Sequence, residues 1–198
     1  MNQAPKGAAV FLDRDGTLIR EVNHLNAIEQ IEVLPKVASA LRLLRAGGFK
    51  LVMVTNQSVV ARGALSEAGL QKIHAEIVKR LAQEGAVLDG IYYCPHHPTE
   101  GLGDYRVVCD CRKPKTAMIK RAAEDLQIDP TLSYVVGDQL TDIELASAVG
   151  ATGILVGRDD AAARGVVPLS FRFAADLAGA AEWIIERMRE SDQESSSE

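Results

Sequence analysis

Short apolar runs alternate along the chain with longer stretches of helical periodicity. Val10-Phe11-Leu12 reads as a buried strand that stops at the polar Asp13-Arg14-Asp15-Gly16-Thr17. Pro35 opens a helix with Val37, Ala40, Leu41 and Leu44 on one face, and Gly47-Gly48 stops it. Leu51 to Val54 predicts a second strand, ending at Thr55-Asn56-Gln57-Ser58. Ser66 caps an amphipathic helix carrying Leu70, Ile73, Ile77 and Leu81, closed by Gly85. A third strand is expected over Val87 to Tyr93. Thr116 to Leu126 reads as helix, Ser133 to Val136 as strand, and Asp142 to Val149 as helix ended by Gly150. Thr152 to Val156 reads as strand, Phe171 to Phe173 as a last edge strand, and Leu177 to Met188 as a final helix. Glu190 to Glu198 is rich in Ser and Glu and predicts a frayed or disordered tail.

Such alternation implies a parallel sheet covered by helices on both faces, an α/β architecture. Sheets of this kind carry their chemistry at the carboxyl ends of the strands. The polar clusters fall at those ends: Asp13 and Asp15, Thr55 and Asn56, Cys94 and His96, and Asp138. Clusters distant in sequence therefore converge on one edge of the sheet, which points to an enzyme.

At 198 residues the chain has room for one domain, expected over 1–189 with the tail 190–198. Its 27 acidic and 22 basic residues give a net charge of −5, which argues against nucleic acid as a partner. No apolar run reaches the roughly 18 residues of a membrane span, so no membrane is expected. Met1 to Ala9 lacks the apolar core of a signal peptide, so the cytosol is expected. The absence of a long exposed apolar stripe favours a monomer. From Cys94 to Pro114 periodicity fails, and this stretch holds all three cysteines. Three thiols cannot all pair internally, which leaves free thiols or a mixed Cys/His metal site.

Asp13 and Asp15, at i and i+2 past a strand, would point the same way, with Arg14 pointing away. Close carboxylates repel and separate their pKa values, which suits a nucleophile beside a general acid/base. They also suit a hard cation such as Mg²⁺. An Asp-rich turn is the plain alternative. Gly16 permits a tight exit, and Thr17 can cap it. Asp138 stands at a strand end like Asp13, with helix capping as its alternative. Asp142 reads more simply as a first-turn dipole partner. Thr55 and Asn56 can bind phosphate oxygens. Arg112 and Lys113 put two positive charges beside these acidic clusters.

Phe11-Leu12-Asp13-Arg14-Asp15-Gly16-Thr17-Leu18, Thr55-Asn56-Gln57-Ser58, Arg112-Lys113-Pro114 and Val136-Gly137-Asp138 together resemble the four ordered motifs of the haloacid dehalogenase phosphatase superfamily. The resemblance spans roughly residues 8 to 157. It implies a Rossmann-like three-layer αβα sandwich, here without an insertion long enough for a separate cap domain. It further implies Asp13 as nucleophile and Asp15 as acid/base. Mg²⁺ would be held by Asp13, the backbone carbonyl of Asp15 and Asp138. Thr55 and Lys113 would hold the phosphoryl group, with Asn56, Gln57 and Ser58 in the same pocket.

Cys94, His96, Cys109 and Cys111 form two clustered pairs about a dozen residues apart, which fits a structural zinc in the loop 94–111. His97 competes with His96 for the fourth place. The loop resembles that of the histidinol-phosphatase-like branch. Its long spacer and Ala61-Arg62-Gly63 are similar to the heptose-bisphosphate phosphatases, whereas histidinol phosphatases have a shorter spacer. The resemblance therefore implies a small sugar bisphosphate as substrate, with histidinol phosphate or another phosphomonoester as the alternative. A non-catalytic phosphosugar-binding module is the third reading, opposed by the full set of motif residues. The loop with Glu21, Asn23 and His24 would form the pocket rim. Arg112 would clamp the second phosphate. Gln139 departs from the family, whose members often carry Lys after the aspartate. It would lie near that distal phosphate.

Overall fold

The computed structural model describes residues 3–157 and 171–195. Among the described residues six strands form one parallel sheet: β1 (Ala9–Leu12), β2 (Lys50–Asn56), β3 (Gly90–Cys94), β4 (Tyr134–Gly137), β5 (Thr152–Val156) and β6 (Arg172–Ala174). Their spatial order is β3-β2-β1-β4-β5-β6. The helices are α1 (Val37–Ala46), α2 (Ser58–Ala61), α3 (Glu67–Gln83), α4 (Ala117–Leu126), α5 (Leu140–Val149) and α6 (Leu177–Ser195).

Strand alternation splits the core into two layers. Val10 and Leu12 of β1 face a cluster with Leu41 and Leu44 of α1, Ile77 of α3 and Ile184 of α6. Ala9 and Phe11 face the opposite way, onto Met118 and Ile119 of α4 and Leu145 of α5. β1 is buried on both faces, so it reads as a continuous apolar run. Each fully buried Leu, Ile or Phe contributes about 1.5–3 kcal/mol, and β1 supplies such residues to both layers. The chain order reverses between β1 and β4, and this opens the crevice in which ligands bind in such sheets.

Several boundaries differ from expectation for local reasons. β3 begins at Gly90 because the Asp89 carboxylate accepts from the Leu51 N–H at 2.7 Å, and Val87 is exposed. The four residues of α2 are too few to show helical periodicity in the sequence. The final helix continues past the expected tail boundary at Glu190 as far as Ser195, because no Gly or Pro interrupts it after Gly179. Residues 196–198 of that tail lie outside the described residues. None of the described helices is long and apolar enough to cross a membrane.

Candidate active site

β1 ends at Leu12, but its ladder runs one residue further: the Asp13 N–H donates to Val136 O at 2.9 Å. That bond fixes Asp13 at the reversal point of the sheet, next to the strand that delivers Asp138. The following turn is closed by backbone, with Leu18 and Ile19 N–H donating to Arg14 O. Thr17 caps nothing here; its hydroxyl is buried without a hydrogen-bond partner. Gly16 sits at φ +72°, and a Cβ there would lie 2.3 Å from Asp138 Oδ2. Only glycine lets the turn approach Asp138 so closely.

Lys113 is the buried centre of the site. Its Nζ lies 2.8 Å from Asp13 Oδ1 and 2.7 Å from Asp142 Oδ1, and it donates to Val54 O at 3.2 Å. Burial alone would lower its pKa; the two carboxylates outweigh burial and push it up to about 12. One ammonium cannot neutralise two buried carboxylates. Burial, then the Asp13 charge, pushes Asp142 up to about 7. Asp138 is likewise raised by burial and by Asp13. Asp142 also accepts from the Gln139 N–H at 3.2 Å, so it caps α5 as well as pairing with Lys113. It stands in the first turn of α5 as expected, and the structure adds a second role: it is fully buried and holds the lysine.

Asn56 uses both ends of its amide on Lys113. Its Oδ1 accepts from Lys113 N at 2.9 Å and its Nδ2 donates to Lys113 O at 3.3 Å. Gln57 Nε2 donates to Asp15 Oδ2 and to Thr55 Oγ1, both at 2.9 Å. These two residues line the pocket as expected, but their amides organise other site residues. Ser58 accepts from Arg62 at 2.7 Å. Arg14 does not point away from the site, because strand alternation ends at Asp13 and Arg14 already belongs to the turn. Its guanidinium folds back onto Asp15, and it is one of the most buried large side chains.

A cleft of about 420 Å³ is lined by Asp13, Asp15, Thr55, Lys113 and Asp138, with Glu21, Arg112 and Gln139. A smaller recess of about 140 Å³ shares Asp15 and Glu21 with it and adds Asn23, His24, Ser58 and Arg62. The expected rim residues therefore gather around one opening. Partial shielding from solvent, then the Asp15 and Asp138 charges, raises the Glu21 carboxyl. Arg112 donates to His96 O at 3.2 Å, and Gln139 Nε2 to Asp138 Oδ2 at 2.9 Å.

The donor sets suit two different metals. Asp13, Asp138 and Asp142 carboxylate oxygens lie within 4.8 Å of one another, a hard oxygen set. Both oxygens of Asp142 are engaged, by Lys113 and by the Gln139 N–H, whereas Lys113 and the Arg14 N–H meet Asp13 only at Oδ1, so Asp13 and Asp138 are the pair left for a cation. Asp15 contributes no side-chain oxygen to that set. Cys94, His96, Cys109 and Cys111 form the second group. Its S···S separations are 3.1 to 3.5 Å, with His96 Nδ1 at 3.2 Å from Cys111 and 3.8 Å from Cys94. A tetrahedron with ~2.3 Å metal–sulfur bonds has edges of about 3.8 Å, a little wider than this cluster. Burial raises Cys94 and Cys111. Burial also acts to raise Cys109, but hydrogen bonds from Cys111 and Cys94 outweigh it and hold Cys109 at about 7. Three thiolates so close cannot all ionise without a cation. His97 turns into its own loop, where Nδ1 accepts from Glu100 N at 2.9 Å.

Sequence reasoning missed Arg14 and Asp142 as ion partners, and it missed His74. His74 stands on the buried face of α3, with Nε2 at 3.5 Å from Arg14 Nη1. Its helical spacing with Leu70 and Ile77 made it indistinguishable from core.

A family model described as HAD-hydrolase-like matches residues 110–180. The chain is 48% identical over 150 residues to a D-glycero-beta-D-manno-heptose-1,7-bisphosphate 7-phosphatase of Haemophilus ducreyi, covering 75% of this chain and 82% of that protein. It is 40% identical over 178 residues to the protein of the same name from Salmonella typhi, covering 89% of each. The crystal structure of D,D-heptose 1,7-bisphosphate phosphatase from B. bronchiseptica, complexed with magnesium and phosphate, is similar to this fold. It has a TM-score of 0.79 and 34% identity, over 91% of this chain and 99% of that one.

Proposed function

The chain belongs to the D-glycero-beta-D-manno-heptose-1,7-bisphosphate 7-phosphatase family, and from that membership we propose that it releases the 7-phosphate of this heptose bisphosphate. The observation that carries the reading is the meeting of Asp13, Lys113 and Asp138 at the reversal point of the sheet, with Asp15 on the same cleft.

Asp13 is the nucleophile: its carboxylate is held by Lys113 and the Arg14 N–H, and its attack on phosphorus would give an aspartyl phosphate. Lys113 and Thr55 would hold the phosphoryl oxygens in line. Asp15, more open than Asp13, protonates the departing sugar oxygen and then takes a proton from the water that hydrolyses the aspartyl phosphate. Mg²⁺ would be held by Asp13, Asp138 and the Asp15 carbonyl, and when bound it offsets the repulsion between carboxylate and phosphate. Arg112 and Gln139 would meet the 1-phosphate, while Glu21, Asn23 and His24 would take sugar hydroxyls. The bidentate reach of Arg112 supports this, since only one of its donors is used by His96 O.

Zinc on Cys94, His96, Cys109 and Cys111 would be structural: four protein ligands leave no open position. The substrate class and the bacterial origin of the relatives support a role in supplying heptose for surface glycans such as lipopolysaccharide, and we place the enzyme in the cytosol as a monomer. A substrate panel tests the reading. Phosphate should be released from the 7-position of the beta anomer, with kcat/KM on the order of 100-fold above that for histidinol phosphate. A preference for histidinol phosphate would replace the heptose assignment.

A further inference from the structure

Resting on the reading of Asp15 as proton donor, we propose that Arg14 and His74 are positioning residues that fix the Asp15 carboxylate for proton transfer. Arg14 donates to Asp15 Oδ1 from Nε at 3.1 Å and from Nη2 at 2.9 Å, and Nη2 also lies 2.8 Å from Oδ2. A guanidinium engaged along one edge fixes the plane of its carboxylate as well as its distance. Gln57 adds a third donor to Oδ2. The carboxylate is thus pinned while its side chain stays 20% exposed to the cleft.

Arg14 itself is only 2% exposed, and the Nε–Nη2 edge of its fork is taken up by Asp15. Burying a guanidinium costs several kcal/mol unless its donors are matched, and a surface arginine would orient a carboxylate far less well. The remaining edge is met by His74. Arginine has no acceptor, so His74 Nε2 faces Nη1 through its lone pair. At 3.5 Å this contact is long, and it acts as a stop for the guanidinium more than as a strong bond. The imidazole stays uncharged, its pKa lowered to about 3 by burial and then by Arg14, so it does not repel the guanidinium. Tyr93 packs against the same ring edge-on, with centroids 5.5 Å apart. The chain of contacts from β3 through α3 to Asp15 is therefore continuous: Tyr93, His74, Arg14, Asp15.

Orientation of a proton donor matters only where the leaving group needs the proton. An alkoxide leaving from a sugar needs it; a nitrophenolate does not. The test compares kcat/KM for the heptose bisphosphate with that for p-nitrophenyl phosphate. Asp15→Asn comes first, and it should lose far more on the sugar than on the aryl ester. His74→Leu, with an unchanged melting midpoint, should lose on the order of 10-fold on the sugar and about twofold on the aryl ester. His74→Gln returns an acceptor to Arg14 and should recover most of that loss. Arg14→Lys keeps the charge without the fork and should show the same selective loss, and it carries the test if His74→Leu fails to fold. Equal losses on both substrates, or no loss on either, would overturn the positioning role. Equal losses for Asp15→Asn would overturn the proton-donor reading, and the inference with it.

Discussion

Lys113 sits between Asp13 and Asp142 with one positive charge for two buried carboxylates, and that imbalance governs what substitutions do. Removing the lysine strands both carboxylates, which typically costs about 3–5 kcal/mol. Lys113→Met should therefore lose stability and activity together. Asp13→Asn removes the surplus negative charge instead. It should abolish turnover by at least ~1,000-fold while leaving the melting midpoint unchanged or raised. Phosphate release and a thermal melt on both variants check this; a strongly destabilised Asp13→Asn would contradict the charge imbalance. His74 gives a second residue-scale expectation. Unfolded, it titrates near pH 6.5; folded, burial and Arg14 hold it at about 3. Between those values the unfolded chain binds a proton that the folded chain does not. His74 thus removes about 1.4 kcal/mol of stability per pH unit as pH falls through that window. His74→Gln should gain about 2 kcal/mol relative to the parent between pH 7 and pH 5, read from urea midpoints. Parallel pH curves would show that the histidine is not buried neutral.

At the scale of elements, the cysteine loop and Lys113 are neighbours in sequence but are held separately. Cys111 belongs to the thiol cluster, while two residues later Lys113 is fixed by Asn56, Val54 O and two carboxylates. The loop is in turn tied to α3 through Tyr105 and Glu67, at 2.8 Å. Stripping the proposed zinc with a chelator, then restoring Mg²⁺, should therefore raise KM for the bisphosphate about 10-fold through Arg112 and the rim. The kcat should stay within about threefold. A collapse of kcat with KM unchanged would mean that the loop holds Lys113 after all. This division also explains what was legible in the sequence. Strand ends such as Asp13, Thr55 and Asp138 are announced by apolar runs that stop, so their convergence could be read. The cysteine spacing likewise marked its own cluster. Arg14 was misplaced because strand alternation was carried past Asp13, where the ladder ends. Asp142 and His74 lie on helix faces where spacing says only that they are inward. Which charge they meet there depends on elements far away in the chain. The amides of Asn56 and Gln57 look alike as pocket residues, and only packing shows that one serves Lys113 and the other Asp15.

For the whole molecule, the site exists only where four separate segments meet. Asp13 follows β1, Thr55 ends β2, Lys113 precedes α4 and Asp138 follows β4. A ligand touching all four cross-links the two halves of the sheet, which join through the β1–β4 pairing. Binding to the folded state alone stabilises it by RT ln(1 + [L]/Kd), about 2.7 kcal/mol at 100 times Kd. For a chain of this size each kcal/mol is worth about 2–4 °C, so inorganic phosphate with Mg²⁺ should raise the melting midpoint by roughly 5–10 °C at saturation. The shift should vanish in Lys113→Met, which lacks the central cation, and should survive in Gln139→Ala, which removes a side chain proposed to meet the 1-phosphate. If Gln139→Ala abolished it and Lys113→Met did not, phosphate would be binding at the distal position, and the placement of the transferred group between Asp13, Thr55 and Lys113 would have to be reversed.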